Sequence, residues 1–296
     1  MRVLPGLFLT LAMLATCVNA AIAAPITFNT ALPVGAGKFV NREQFILARS
    51  GHDPSNSGRE VDTNSLESVL AYGVSGKLSM FGILPLVGKE LRLPGGVKRD
   101  SSGFGDARLF ARYSLYQRDN PGRTFRVAGF GGIKIPTGDD DETDSLGRLP
   151  IPLQSGTGSW DASIGGVISY QTLDFGVDTQ LSYRANTEAN DFEAGDVTRL
   201  DASLQYRLWP VKIGSDTASF LYGVLEANIV HSQKDAIFGQ SIPDSGGTTV
   251  FITPGIQYAA KKWILEAAVQ LPVSQNLNGN ALENDYVFRA GFRINF

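Results

Sequence analysis

The C-terminal stretch from Tyr286 to Phe296 restricts the architecture more than any other part of the chain. Tyr286, Phe288, Ala290, Phe292, Ile294 and Phe296 fall on one side of a period-two alternation; Val287, Arg289, Gly291, Arg293 and Asn295 fall on the other. Successive side chains of a strand point to opposite faces. One face is therefore almost wholly apolar and aromatic, and the other carries two arginines. In a water-soluble sheet the apolar face turns to a core. In a membrane barrel it turns to lipid, and the polar face lines a lumen. The alternation recurs around 106–116, 125–135, 160–170, 175–184, 199–208 and 263–271. In 199–208, Leu200, Ala202, Leu204, Tyr206 and Leu208 alternate with Arg199, Asp201, Ser203, Gln205 and Arg207. Charge returning to one face, segment after segment, favours the barrel over a soluble sandwich. Helical spacing does not recur.

These segments predict an all-β protein: an antiparallel up-and-down transmembrane β-barrel of about twelve strands. Short connections fall near 74–76, 119–122, 210–215 and 260–262. Longer ones fall at 86–103, 137–158, 185–194, 231–247 and 272–285. Short turns on one side and long loops on the other are characteristic of bacterial outer-membrane barrels. Pro85, Pro136 and Pro272 are expected at the outer strand ends, because proline has no ladder donor. The amino end is expected to lie on the first strand.

The first residues read as an export signal. Arg2 supplies a small positive region, Leu4 to Ala15 is apolar apart from Thr10, and small residues follow from Val18 to Ala24. Cleavage fits after Ala23 or after Ala20. The division is 1–23 as a cleaved signal peptide and 24–296 as the barrel. The run is short for a transmembrane anchor, and Thr16 is unusual before Cys17 in a lipoprotein box. Cys17 is the single cysteine, so a mature chain has no disulfide framework. With 26 basic and 29 acidic residues the net charge is −3, which gives no electrostatic footprint for nucleic acid.

The strand ending at Phe296, with Tyr286, Phe288, Phe292 and Ile294 alternating before it, resembles the C-terminal signal read by the barrel assembly machinery of Gram-negative outer membranes. Three further motifs occur in order: Gly103-Phe104-Gly105-Asp106, Ile135-Pro136-Thr137-Gly138-Asp139 and Gly156-Thr157-Gly158-Ser159-Trp160-Asp161. Together they resemble the family labelled "MetA-pathway of phenol degradation", and the likeness spans nearly all of the mature chain. The resemblance implies a twelve-stranded outer-membrane transporter, often associated with hydrophobic or aromatic compounds. It supplies no functional residues to carry over.

The alternation supplies the candidate lumen residues. The basic ones are Arg42, Arg108, Arg112, Arg126, Lys134, Arg184, Arg199, Arg207, Arg289 and Arg293. The acidic ones are Glu67, Asp106, Asp161, Asp178, Asp201, Glu226 and Glu266. Both signs in a narrow barrel imply cross-strand ion pairs, which either brace the wall or line a solute path. The expected role is uptake of a small-molecule solute through a narrow channel. The rival is a non-transporting structural or adhesive barrel. Outer-membrane lipid and lipopolysaccharide are the expected surroundings.

No enzyme is expected. The only histidines are His52 and His231, and Ser232 follows His231 directly, so the two face opposite ways on a strand. No cofactor and no metal is expected. The acidic run Asp139 to Glu142, with Asp144, lacks the glycine and closing glutamate of a calcium loop and reads as a solvated outer loop.

Overall fold

The computed structural model describes residues 23–214 and 217–296. Most of the stretch read as a signal peptide, including Arg2 and Cys17, lies outside the described residues. Strands β1 (Phe39–Ser50), β2 (Glu60–Gly73) and β3 (Leu78–Leu93) are followed by β4 (Val97–Phe104), which doubles back on β3. Next come β5 (Ala107–Asn120), β6 (Arg123–Ile135), the two-residue strands β7 (Thr143–Asp144) and β8 (Gly147–Arg148), β9 (Asp161–Thr172) and β10 (Phe175–Ala185). Short β11 (Phe192–Glu193) precedes β12 (Val197–Trp209) and β13 (Ser219–Ser232). Short β14 (Ala236–Ile237) and β15 (Gln240–Ser241) precede β16 (Gly247–Ala260), β17 (Trp263–Leu277) and β18 (Tyr286–Asn295).

The long strands pair antiparallel in chain order, and β18 returns to β1, from Asn295 opposite Val40 to Tyr286 opposite Arg49. The wall is a closed 12-strand barrel. Closure leaves no unpaired edge, which a hydrocarbon setting requires. The alternation predicted from sequence is the alternation of the wall. Along β10, Val177, Thr179 and Leu181 are exposed outward, while Asp178 and Gln180 are buried inside. Aromatic pairs bracket the strand ends beside the short turns. Phe39 meets Tyr72 at 4.7 Å, Tyr170 meets Phe175 at 5.9 Å and Tyr258 meets Trp263 at 5.4 Å. Amphipathic rings collect at that level in membrane barrels.

Two expectations about proline are corrected. Pro85 lies inside β3 and Pro272 inside β17; only Pro136 directly follows a strand. β3 pairs with β5 as far as Ile83 and with β4 from Leu86 onward, so Pro85 sits where the partner changes and no donor is needed. Its carbonyl accepts from Gly105 N at 2.8 Å. Pro272 sits at a register shift between β16 and β17. The predicted loop 86–103 is likewise the outer part of β3 and its return strand β4.

The amino end also departs from expectation. Residues 23–38 do not merely lead into β1. They rise into the barrel from the short-turn side, cross its lower half and return to the start of β1. This segment has no period of its own, and its backbone groups find partners on the inner wall. Gln171 Nε2 donates to Ala23 O at 3.0 Å, and Gln257 Nε2 donates to Ala24 O at 2.8 Å. Glu226 accepts from Ile26 N at 2.7 Å and from Thr27 N at 3.1 Å. Ser169 Oγ accepts from Ala31 N at 2.8 Å, and Ser79 Oγ accepts from Val34 N at 3.0 Å. A buried irregular segment must satisfy its amides somewhere, and here serines, glutamines and acids of the wall do it. Ile26 completes the packing against Val224 and Ala268, and Ala31 against Ala128 and Val167.

Candidate functional site

Above this segment the lumen opens into a cavity of about 640 Å3. Most of the residues predicted to face the lumen line it or lie beneath it. Arg42, Glu67, Arg108, Arg112, Arg126, Lys134, Asp161, Arg184, Arg199, Arg289 and Arg293 all line the cavity. Asp178, Asp201, Glu226 and Glu266 are buried lower down, in the wall that holds the amino-terminal segment. Arg207 is not among the cavity residues. It bends to the short-turn rim, where Asp174, the Leu173 carbonyl and the Pro210 carbonyl accept its hydrogen bonds.

Many of the cations are committed to neighbours. Glu266 accepts from Arg42 Nε at 2.7 Å and lies 3.6 Å from Arg293. Glu67 pairs with Arg108 at 2.5 Å, and Asp161 with Lys134 at 2.5 Å. Asp201 pairs with Arg199 at 3.0 Å. Arg112 instead donates to the carbonyls of Thr30 at 2.6 Å and Leu32 at 2.5 Å, so it clasps the amino-terminal segment. Among the described residues Arg289 meets only amide oxygens, Gln270 at 2.8 Å and Gln44 at 2.9 Å. Cross-strand ion pairs are therefore present between Arg42 and Glu266, Arg108 and Glu67, and Lys134 and Asp161, while Arg199–Asp201 lies within β12; they share the lumen with cations that meet neutral acceptors.

Sequence reading missed the aromatic part of the wall. Phe81, Phe110 and Phe130 occupy inward positions of β3, β5 and β6 and line the cavity. Phe81 stacks on Phe110 at 4.3 Å, and Phe110 meets Phe130 edge-on at 6.3 Å. The Arg112 guanidinium lies 4.8 Å from the centre of the Phe81 ring, a cation–π distance. Ile83 and Val69 extend the apolar side. The one usable signal was the absence of a polar residue at these inward positions. The Phe130 ring lies across Gly165, where an added Cβ would meet Phe130 Cζ at 2.3 Å.

The three glycine-rich motifs meet at the outer mouth. Asp106 receives Gly138 N at 3.1 Å on one carboxylate oxygen, and Thr157 N at 2.9 Å and Thr157 Oγ1 at 2.6 Å on the other. Gly138 and Gly156 pass so closely that a Cβ on Gly156 would stand 2.4 Å from the Gly138 backbone. Lys134 lies between Asp106 at 3.5 Å and Asp161 at 2.5 Å, and donates to Ser159 Oγ at 3.0 Å. The motifs form a staple that fixes the loop 136–160 to the rim. Further out, Arg99 bonds Asp144 at 2.7 Å and holds its carboxyl below the usual carboxylate range. Asp140 accepts from Asn190 at 2.8 Å, which ties this loop to the next. Among the described residues no group of three or more His, Cys, Asp or Glu side chains is placed to hold a metal ion. His231 Nδ1 faces Thr248 Oγ1 at 2.9 Å rather than Ser232.

The fold is similar to that of an outer-membrane channel from Pseudomonas putida F1. The two share 14% identity at a TM-score of 0.70, over 93% of this chain and 100% of the other. Looser likenesses reach the β-domain of the Bordetella autotransporter BrkA (15% identity, TM-score 0.47, 88% and 100% covered). They also reach the transport unit of the Escherichia coli autotransporter AIDA-I (12% identity, TM-score 0.49, 95% and 96% covered). No curated protein matches the chain in sequence. The sequence profile described as "MetA-pathway of phenol degradation" matches residues 54–281, a span that takes in the whole motif staple, and the chain belongs to that family.

Proposed function

We propose that this protein is an outer-membrane channel that takes up small, partly apolar solutes from a vestibule facing outward. The observation that carries this reading is the cavity of about 640 Å3, walled by Phe81, Phe110 and Phe130 on one side and by arginines on the other. Ligand cavities of this size, mostly apolar with a few placed polar groups, suit molecules of one or two rings. The assembly machinery and lipopolysaccharide remain the partners that the terminal strand and the outward loops call for. The rival reading, a barrel that carries nothing, gains support from the amino-terminal segment, which leaves the lower lumen filled.

Planar-bilayer recording separates the two. The purified full chain is expected to pass a small ionic current with weak anion preference, because the cavity lining holds more basic than acidic side chains. Benzyl alcohol added on the vestibule side is expected to block that current. Absence of both current and block sinks the uptake reading.

The lumen contacts support a mature chain that begins at Ala21. Ala24 is buried, and its N–H faces Gln257 Oε1 at 3.1 Å. Cleavage after Ala23 would bury a new ammonium there against a neutral amide oxygen, which is costly. Cleavage after Ala20 keeps Ala23 in its packing with Tyr222, Ala259 and Ile264. Intact mass of the purified protein is expected to correspond to a chain beginning at Ala21. A chain beginning at Ala24 overturns this.

A further inference from the structure

Two successive rows of inward residues run around the vestibule wall, and both read aromatic, small, small, arginine. In the first row Phe110 stands opposite Gly132, Gly132 opposite Ser163, and Ser163 opposite Arg184. In the second, Phe130 stands opposite Gly165, Gly165 opposite Ser182, and Ser182 opposite Arg199. Strands lie about 4.8 Å apart, so each aromatic is separated from its arginine by roughly 14 Å of wall. Ser163 and Ser182 keep the wall beside the arginines low, while the Phe130 ring lies over Gly165. The guanidiniums of Arg184 and Arg199 enter the cavity from one end of these rows and the rings of Phe110 and Phe130 from the other.

The charges in this cavity are unequal. Arg108 is paired with Glu67, and Lys134 with Asp161. Arg184 is exposed to the lumen, and among the described residues it meets no carboxylate. Arg199 gives one nitrogen to Asp201, while its Nε is buried with no acceptor. Two adjacent guanidiniums with spare donors, in the same cavity as two phenyl rings, match a ligand with a carboxylate at one end and a ring at the other. Guanidinium forks bind carboxylates in bidentate geometry, which an ammonium does not reproduce. Phenyl rings favour offset or edge contacts with another ring.

We propose that the vestibule is a binding site for aromatic monocarboxylates, with the carboxylate on Arg184 and Arg199 and the ring against Phe110 and Phe130. This rests on the uptake reading and narrows it to a chemical class. The site is selective for the charge as well as the ring: a neutral arene keeps only the phenyl contacts, and a small carboxylate keeps only the guanidiniums.

Calorimetric titration of the full chain in nanodiscs tests this, with benzoate, benzyl alcohol and acetate as probes. Benzoate is expected to bind about tenfold tighter than benzyl alcohol, the worth of one charge-assisted contact, and acetate more weakly than benzoate. In the double variant Arg184→Gln, Arg199→Gln, checked for folding by heat-modifiable migration, the ratio of benzoate to benzyl alcohol affinity is expected to fall to about one. Equal affinity of the wild type for benzoate and benzyl alcohol overturns the proposal while leaving the uptake reading standing. A preference that survives in the double variant also overturns the placement. If no arene binds and none blocks the current, both readings fail together.

Discussion

Deleting residues 25–34 is expected to raise the single-channel conductance many-fold and to make the current insensitive to arene block. The segment fills the lower lumen, and the wall around it is polar: Gln171, Gln180, Gln205, Asn228, Thr253 and Gln257 are all nearly or wholly inaccessible to solvent. Remove the segment and Gln180 and Asn228 lose their bonds to Asn29 and Thr27, while the polar wall gains water, which readily fills a roomy polar cavity. Twelve strands lie between the filled 8-stranded barrels and the open 16–18-stranded porins, so an emptied lumen is wide enough to conduct. A gentler variant separates release from removal. Glu226 accepts two backbone N–H groups and the Thr27 hydroxyl. Glu226→Gln weakens all three, because bonds to a charged acceptor are roughly twice as strong as neutral ones. It is expected to give brief openings to the level of the deletion variant. If the deletion variant folds, shown by heat-modifiable migration, and conducts no better than wild type, the segment does not close the path.

The wall was legible in the sequence because its two faces obey a rule of period two that holds over strand after strand. Leu200, Leu204 and Leu208 point outward, while Asp201, Ser203 and Gln205 point inward, as read from the alternation. The amino-terminal segment was not legible, since it has no period and its partners are scattered. Ala23 bonds Gln171, Ile26 bonds Glu226 and Val34 bonds Ser79, contacts that span distant strands. Gln205 shows the consequence. It points inward as expected, yet it is wholly buried rather than free in a channel. The inward phenylalanines escaped for the opposite reason. Reading the inner face as the polar one hides an apolar residue placed there, and only the register that aligns Phe81 with Phe110 and Phe110 with Gly132 brings the patch together. The motif staple was visible as three glycine-rich runs, but their meeting point, the Asp106 carboxylate, depends on a loop returning from Gly156 to Gly138.

Leu181→Arg is expected to abolish barrel assembly, whereas Ser182→Arg, one residue along β10, assembles. Leu181 points outward and is 57% exposed. It lies six residues above Phe175 at the short-turn end, which puts it near the middle of the apolar band. Its pairing partners across β9 and β12 are Gly166 and Leu200, and Leu200 is also exposed on the outer face. An arginine there has no counter-charge on the outer face and sits in hydrocarbon, at a cost of roughly 2–4 kcal/mol at the midplane. That is a large fraction of the stability of an ordinary domain. Ser182 points the other way, into the cavity beside Arg184 and Arg199. An arginine there meets water and like charge, screened over about 8 Å at physiological salt, so the penalty is small and the barrel closes. Both variants are read in the same way, by the fraction of protein in the outer-membrane pellet that shifts its migration on heating. The reverse outcome, in which Leu181→Arg assembles and Ser182→Arg does not, would mean that β10 presents the other face to lipid. Because β10 pairs with β9 and β12, the same result would invert the wall on either side of it and remove Arg184 and Arg199 from the vestibule.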